Sequence, residues 1–147
     1  MEAVRFYNQW YDVLNNFSPH AVEIEGTIYP TAEHAYQTAK CTSAEGKAAI
    51  TAARSPMLAK IAANQTFASA RREDWKKVKV DVMENVLRAK LTQHDEVHQA
   101  LIRSGTADIA EDSPVDSFWG LGADGNGQNM LGKLWMKLRA ELSEENL

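Results

Sequence analysis

The chain has 147 residues, a formal charge of −4 and 44% apolar residues. That suits one domain able to bury roughly two-thirds of its unfolded surface without staples. The acidic balance excludes a strongly basic nucleic-acid coat, no apolar run reaches the length of a membrane span, and a single cysteine, Cys41, excludes an intramolecular disulfide.

The lone cysteine fits a reducing compartment. The N-terminus lacks the charged, apolar and small-residue sections of a secretory signal. The expected location is therefore the cytoplasm. Charge is unevenly spread. Residues 71–90 hold seven Lys/Arg against four Asp/Glu, whereas residues 91–147 hold four against ten. A basic segment inside an acidic protein can hold a few phosphates without coating a duplex.

Taken in chain order, "VEIEGTIYP" (22–30) alternates around Gly26 and stops at Pro30, which predicts a small β-hairpin. Thr31 then caps a helix over about 32–41, with Glu33 in its first turn, where a carboxylate suits the helix dipole. Ser43 caps a second helix, about 44–53. Ser55 and Pro56 give a strong start signal for a third. The longest helix is predicted over about 73–91. Its apolar stripe is Trp75, Val78, Val82, Val86 and Leu87, with Lys76, Lys77, Lys79, Arg88 and Lys90 on other faces. A further helix covers about 95–103. Residues 104–129, rich in Gly, Asp and Ser, read as one long irregular loop, a feature that is usually functional or mobile. The last helix, about 129–142, turns Leu131, Leu134, Trp135 and Leu138 inward. The expected fold is mainly α (α+β with a small N-terminal β element), in a single compact domain over 1–147.

Several motifs fail on their context. "GLGADG" (120–125) matches G-x-G-x-x-G, but no strand precedes it and no βαβ unit surrounds it, so a Rossmann site is rejected. A Gly-rich loop entering a helix N-terminus can still present backbone N–H groups to an anion; a flexible surface loop explains it as well. "DGNGQN" begins like a calcium loop, but Trp135 stands where the bidentate acid belongs. His94 and His98 have zinc spacing on one helix face, yet Asp95 replaces the zincin glutamate and no third ligand is evident. No metal and no cofactor is expected. Cys41 has no identifiable partner base, and no G-x-S-x-G occurs.

The remaining chemistry lies in carboxylates and tryptophans. "YPTAEHAYQTAK" (29–40) places Glu33, His34, Gln37 and Lys40 on one short helix. Asp116 sits beside Trp119, and Trp75 opens the basic helix. Carboxylates that activate water and stabilise an oxocarbenium-like transition state are what cleavage of a glycosidic bond requires. Aromatic faces hold a base and cations hold phosphate. Taken singly, each residue has a plain structural explanation: a lone Trp is usually core, and an acid at a helix start usually serves the helix.

An ordered series of short motifs over about residues 6–140 resembles the NADAR (YbiA-like) family. "LNNF" (14–17) is similar to the family's "LSNF", with Asn15 where Ser is usual. "PTAEHAYQTAK" is similar to its "PTxEHxxQxxK". Ala59–Lys60 follow, then "WKKVKVDVM" with Trp75, Lys79 and Met83. Next come "ADIAEDSPVDSFWG" with Glu111, Ser113, Asp116, Trp119 and Gly120, and "GQNMLGKLWMKLR" with Gly127, Asn129, Gly132, Met136 and Arg139.

The resemblance implies an N-glycosidase that cleaves the bond between ribose and a base. It implies activity-associated positions at Glu33, Trp75 and Asp116. It implies pocket neighbours at Asn16, His34, Gln37, Lys40, Lys79, Trp119, Gly120 and Asn129. In this reading Glu33 orients and activates water, and Asp116 holds the ribose or shares the acid/base work. Trp75 or Trp119 stacks on the base. Lys79, Arg71 and Arg72 are the phosphate candidates, with the Gly122–Asn129 backbone as a second choice. Trp75 also has a competing role as the first core residue of its helix. The implied partners are ribosylated aminopyrimidine phosphates of riboflavin synthesis. The alternatives are ADP-ribosylated guanine in nucleic acid, handled by an antitoxin-like hydrolase, and a non-catalytic ADP-ribose/NAD-binding module.

Overall fold

A computed structural model describes residues 2–7 and 12–145. Contacts divide the chain into two compact units, residues 16–93 and residues 1–15 with 94–147.

In the first unit, β1 (Val22–Ile24) pairs antiparallel with β2 (Thr27–Tyr29), Val22 opposite Tyr29. Glu25 and Gly26 both take positive φ, 51° and 84°. This is the left-handed two-residue turn whose twist matches a hairpin. Thr31 Oγ1 accepts the His34 N–H at 3.2 Å and starts α1 (Ala32–Lys40). Ser43 and Ser55 likewise cap α2 (Ala44–Thr51) and α3 (Pro56–Ile61). After α3 the chain widens into a π-helical turn, Ala62–Thr66, then a 3₁₀ turn, Ala68–Ala70. Thr42 N–H donates to Ala70 O and Arg72 N–H to Lys40 O, both at 2.8 Å, so residues 70–72 lie along the end of α1. α4 (Trp75–Gln93) closes the unit.

α1 packs against α2, α3, α4 and the hairpin. Every one of its residues except Ala39 is buried, polar ones included. One apolar cluster joins Val22, Ala32, Ala35 and Val86; another joins Cys41, Ile50, Ala59 and Ala63. Lys90 departs from expectation. It is fully buried, not outward-facing, because its ammonium finds the Ser18 hydroxyl at 2.8 Å.

In the second unit, β3 (Val4–Phe6) pairs in parallel with β4 (Ile109–Glu111), Val4 opposite Ile109. α5 (Asp95–Arg103) precedes β4, and α6 (Met130–Glu145) packs on both. The four predicted apolar residues of α6 are buried, and Trp135 Nε1 donates to Leu14 O at 3.1 Å. The expectation of an irregular 104–129 is thus corrected by β4. Three residues are too few to show a period of two, and their partner strand is over a hundred positions away. Mainly helical with small β elements, the architecture agrees with the class expected from the sequence. Among the described residues no helix is long and apolar enough to cross a membrane.

Candidate active site

Glu33 lies in the first turn of α1 and is buried. Its N–H, one of the helix's unmatched donors, goes to Asn16 O at 3.1 Å. One turn on, Gln37 Nε2 donates to Glu33 Oε1 at 2.7 Å. The Asn16 amide also hydrogen-bonds the carboxylate, and its Nδ2 lies 3.3 Å from Met83 Sδ on α4. Burial pushes the Glu33 pKa above its ordinary 4.5. Gln37, Lys60, Lys40 and Asn16 oppose that, in this order, without cancelling it. Both amides turn nitrogen toward the acid. Asn16 Oδ1 and Gln37 Oε1 remain as buried acceptors without a partner.

A cluster of cations stands beside this acid. Lys40 Nζ donates to Asn64 Oδ1 at 3.0 Å, and Arg71 donates to the same oxygen at 2.9 Å. Asn64 belongs to the π-helical turn, a distortion that recurs at functional sites. Lys40 also lies against the rings of Tyr36 and Trp75, 5.3 and 5.7 Å from their centroids, within cation–π range. Those rings meet each other at 5.1 Å, tilted by 52°. Burial lowers the Lys40 pKa to about 8. Arg71, Lys60 and Lys79 push the same way, and only Glu33 pulls it back. Lys40 and Lys60 act on the carboxylate, while Arg71, Lys60 and Lys79 act on Lys40; cations so grouped repel each other unless a further anion joins them.

Other nominated residues of this unit are engaged within the fold. His34 Nδ1 meets Thr31 Oγ1 at 2.8 Å and Nε2 meets Ala53 O at 2.9 Å, so both ring nitrogens hold α1 in place. Trp75 is 6% exposed, the competing core role noted above. Arg72 forms an exposed pair with Asp74 at 2.6 Å.

In the other unit, Asp116 Oδ1 accepts the N–H groups of Phe118 and Trp119 at 2.9 and 2.8 Å, while Ser113 Oγ accepts the Asp116 N–H at 3.0 Å. Trp119 meets Phe118 edge-on at 4.8 Å. Asn129 accepts from Glu111 N and donates to Ile109 O, both at 2.9 Å, so its amide clamps β4. At Gly120 a Cβ would lie 2.8 Å from Glu111 O. The backbone of 125–129 is no anion cradle. The N–H groups of Gly125, Gly127, Gln128 and Asn129 all go to backbone carbonyls, that of Asn126 goes to Asp124 Oδ1, and Met130 and Leu131 donate to Phe118 O and Trp119 O. Within the second choice for phosphate, Gly122–Asn129, the donors of residues 125–129 are thus taken up by the loop folding on itself. Among the described residues no group of three or more His, Cys, Asp or Glu gathers as a metal would require.

The structure thus brings Asn16, Glu33, Gln37, Lys40, Arg71, Trp75 and Lys79 together within one unit. It adds Tyr36, Lys60 and Asn64, which sequence reasoning did not nominate. Lys60 carried a signal, as part of the Ala59–Lys60 motif. Asn64 carried none, because nothing local announces a π-helical turn.

The NADAR domain model matches residues 2–143. An N-glycosidase of Nostoc punctiforme is 36% identical, over 95% of this chain and 92% of its own. The N-glycosidase YbiA of Escherichia coli is 34% identical over 92% of this chain and 84% of its own. Its NMR structure superposes with a TM-score of 0.85, covering 99% of this chain and 89% of that one. A riboflavin biosynthesis protein of Vibrio vulnificus is 31% identical over 97% of this chain, which spans 39% of that longer protein.

Proposed function

The chain belongs to the NADAR family and is an N-glycosidase, and from that premise we propose that it hydrolyses the ribose–base bond of ribosylated aminopyrimidine phosphates, intermediates of riboflavin synthesis. The observation that carries the reading is the buried Glu33 carboxylate, set between two amides and facing a cluster of cations. The riboflavin biosynthesis relative supports the choice of substrate.

As the C1′–N bond lengthens, positive charge develops on the ribose and the bonding electrons leave with the base. Glu33 stabilises that charge and takes a proton from the attacking water, whose oxygen bonds to C1′. The departing nitrogen gains a proton in turn. The raised pKa makes Glu33 a stronger base than an exposed carboxylate. Gln37 and Asn16 fix its orientation. Lys40, Arg71, Lys60 and Lys79 take the phosphate, and Trp75 with Tyr36 walls the cations. His34 acts through α1, without touching substrate. Asp116 for the ribose, Trp119 for the base, and Gly120 and Asn129 as their frame are roles that rest on the motif resemblance.

The test is hydrolysis by wild type and Glu33→Ala, side by side, on a ribosylated diaminopyrimidinone phosphate and on an ADP-ribosylated guanine oligonucleotide. Release of base from the first, lost in the variant, is the expected result. Cleavage of the oligonucleotide alone would replace the substrate. Full activity of Glu33→Ala would overturn the role of Glu33.

A further inference from the structure

Outside the acid and its cations, a second polar cluster is buried in the same unit. Ser18 is fully buried, with Oγ 2.8 Å from Lys90 Nζ and 2.8 Å from His20 Nδ1. Lys90 is fully buried and His20 is 8% exposed. An ammonium has only donors, so the serine oxygen accepts from Lys90, and its own proton is then available to His20. No substrate reaches a serine this deep, so nucleophilic chemistry is excluded here.

A buried ammonium is costly, and an apolar pair would fill the same space more cheaply. What a hydrogen bond adds is register. Lys90 and Met83 are seven residues apart on α4, two turns along one face. Met83 meets Asn16, Lys90 meets Ser18, and Val86 between them packs with Val22. Segment 16–22 is thus pinned along α4 at three points. Its first residue is the one that bonds Glu33 through both backbone and side chain.

We propose that Ser18 and Lys90 are positioning residues for the glycosidase reaction, fixing the register of segment 16–22 so that Asn16 is held against the Glu33 carboxylate. The inference rests on the role given to Glu33 above.

The test is the double variant Ser18→Ala/Lys90→Met, in which the serine and the ammonium leave together so that neither is left buried without the other, while His20 loses the serine hydroxyl. The readout is the Glu33 carboxyl titration by ¹³C NMR, the resonance being identified by its loss in Glu33→Gln. Glu33 is faced by Asn16, by Gln37 and Lys40 of its own helix and by Lys60 of α3, of which only Asn16 is released. The Glu33 pKa should therefore rise above wild type in the folded variant. kcat should fall about tenfold with KM within about twofold, and Lys90→Arg, which keeps a donor, should restore both. A folded double variant with a wild-type Glu33 titration would overturn the proposal. So would a double variant that fails to fold, since the pair would then be structural only. The titration needs no substrate. A shifted pKa in an enzyme whose Glu33→Ala is active would keep the positioning and discard the catalytic role.

Discussion

Lys40 and Arg71 share one acceptor, the Asn64 side-chain oxygen, at 3.0 and 2.9 Å. Two cations on one neutral oxygen are aligned without being neutralised, so their charge stays available to an anion. Asn64→Leu removes the alignment and leaves the charges. KM for a phosphate-bearing substrate should rise about tenfold, equivalent to about 1.4 kcal/mol, with kcat changed less than about twofold. Steady-state kinetics decides it, and an unchanged KM would remove the phosphate from this cluster.

Lys40 supplies a pH dependence. Its pKa in the fold is about 8, below the ordinary 10.5. The fold disfavours the charged form, so the destabilisation is fully present below pH 8 and is relieved as pH rises toward the unfolded value. Function runs the other way, because deprotonation removes an anion-binding charge. kcat/KM should fall as pH passes about 8, and Lys40→Arg should abolish that limb, since arginine stays charged. A limb that persists in the variant assigns it to another group.

Glu33 should trade stability for activity. Its pKa is raised, chiefly by burial, so the folded state binds the proton more tightly than the unfolded chain. As pH rises above the ordinary 4.5, ionisation lowers the stability of the fold. Glu33→Gln cannot ionise. Above about pH 5 its Tm should exceed wild type by a few degrees, at about 2–4 °C per kcal/mol, and the gap should close below the ordinary carboxylate range. Its activity should fall by at least about 10²-fold. Thermal unfolding across pH checks the first part, and a constant Tm difference would contradict it.

Two glycines separate close packing from backbone conformation. A Cβ at Gly132 would overlap the Ile109 carbonyl and lie 2.5 Å from the Asn129 amide nitrogen. Gly132→Ala must therefore push α6 off β4, at a cost on the order of 3 kcal/mol. Gly125 has open space but φ of +76°, so Gly125→Ala should cost about 1 kcal/mol of left-handed strain. Urea denaturation of the two variants ranks them, and equal losses would refute the packing argument.

The sequence by itself determined the helical frame and the acid. Thr31, Ser43, Ser55 and Pro56 start their helices where local chemistry directs, and the spacing of Glu33, Gln37 and Lys40 along one helix is fixed by its pitch. The motif series likewise carried the family. These signals act between near neighbours, so one chain suffices to read them. Tertiary structure alone decided the rest. Lys90 is a surface residue by its pattern until Ser18, seventy-two positions away, supplies an oxygen for it in the core. β4 is a strand only because Val4–Phe6 lies beside it. Asn129 belongs to the clamp on β4, and Asn64 to the Lys40 ammonium, through contacts eighteen and twenty-four positions distant. The fate of a buried polar group depends on which partner reaches it, and that partner is chosen by packing across the whole fold.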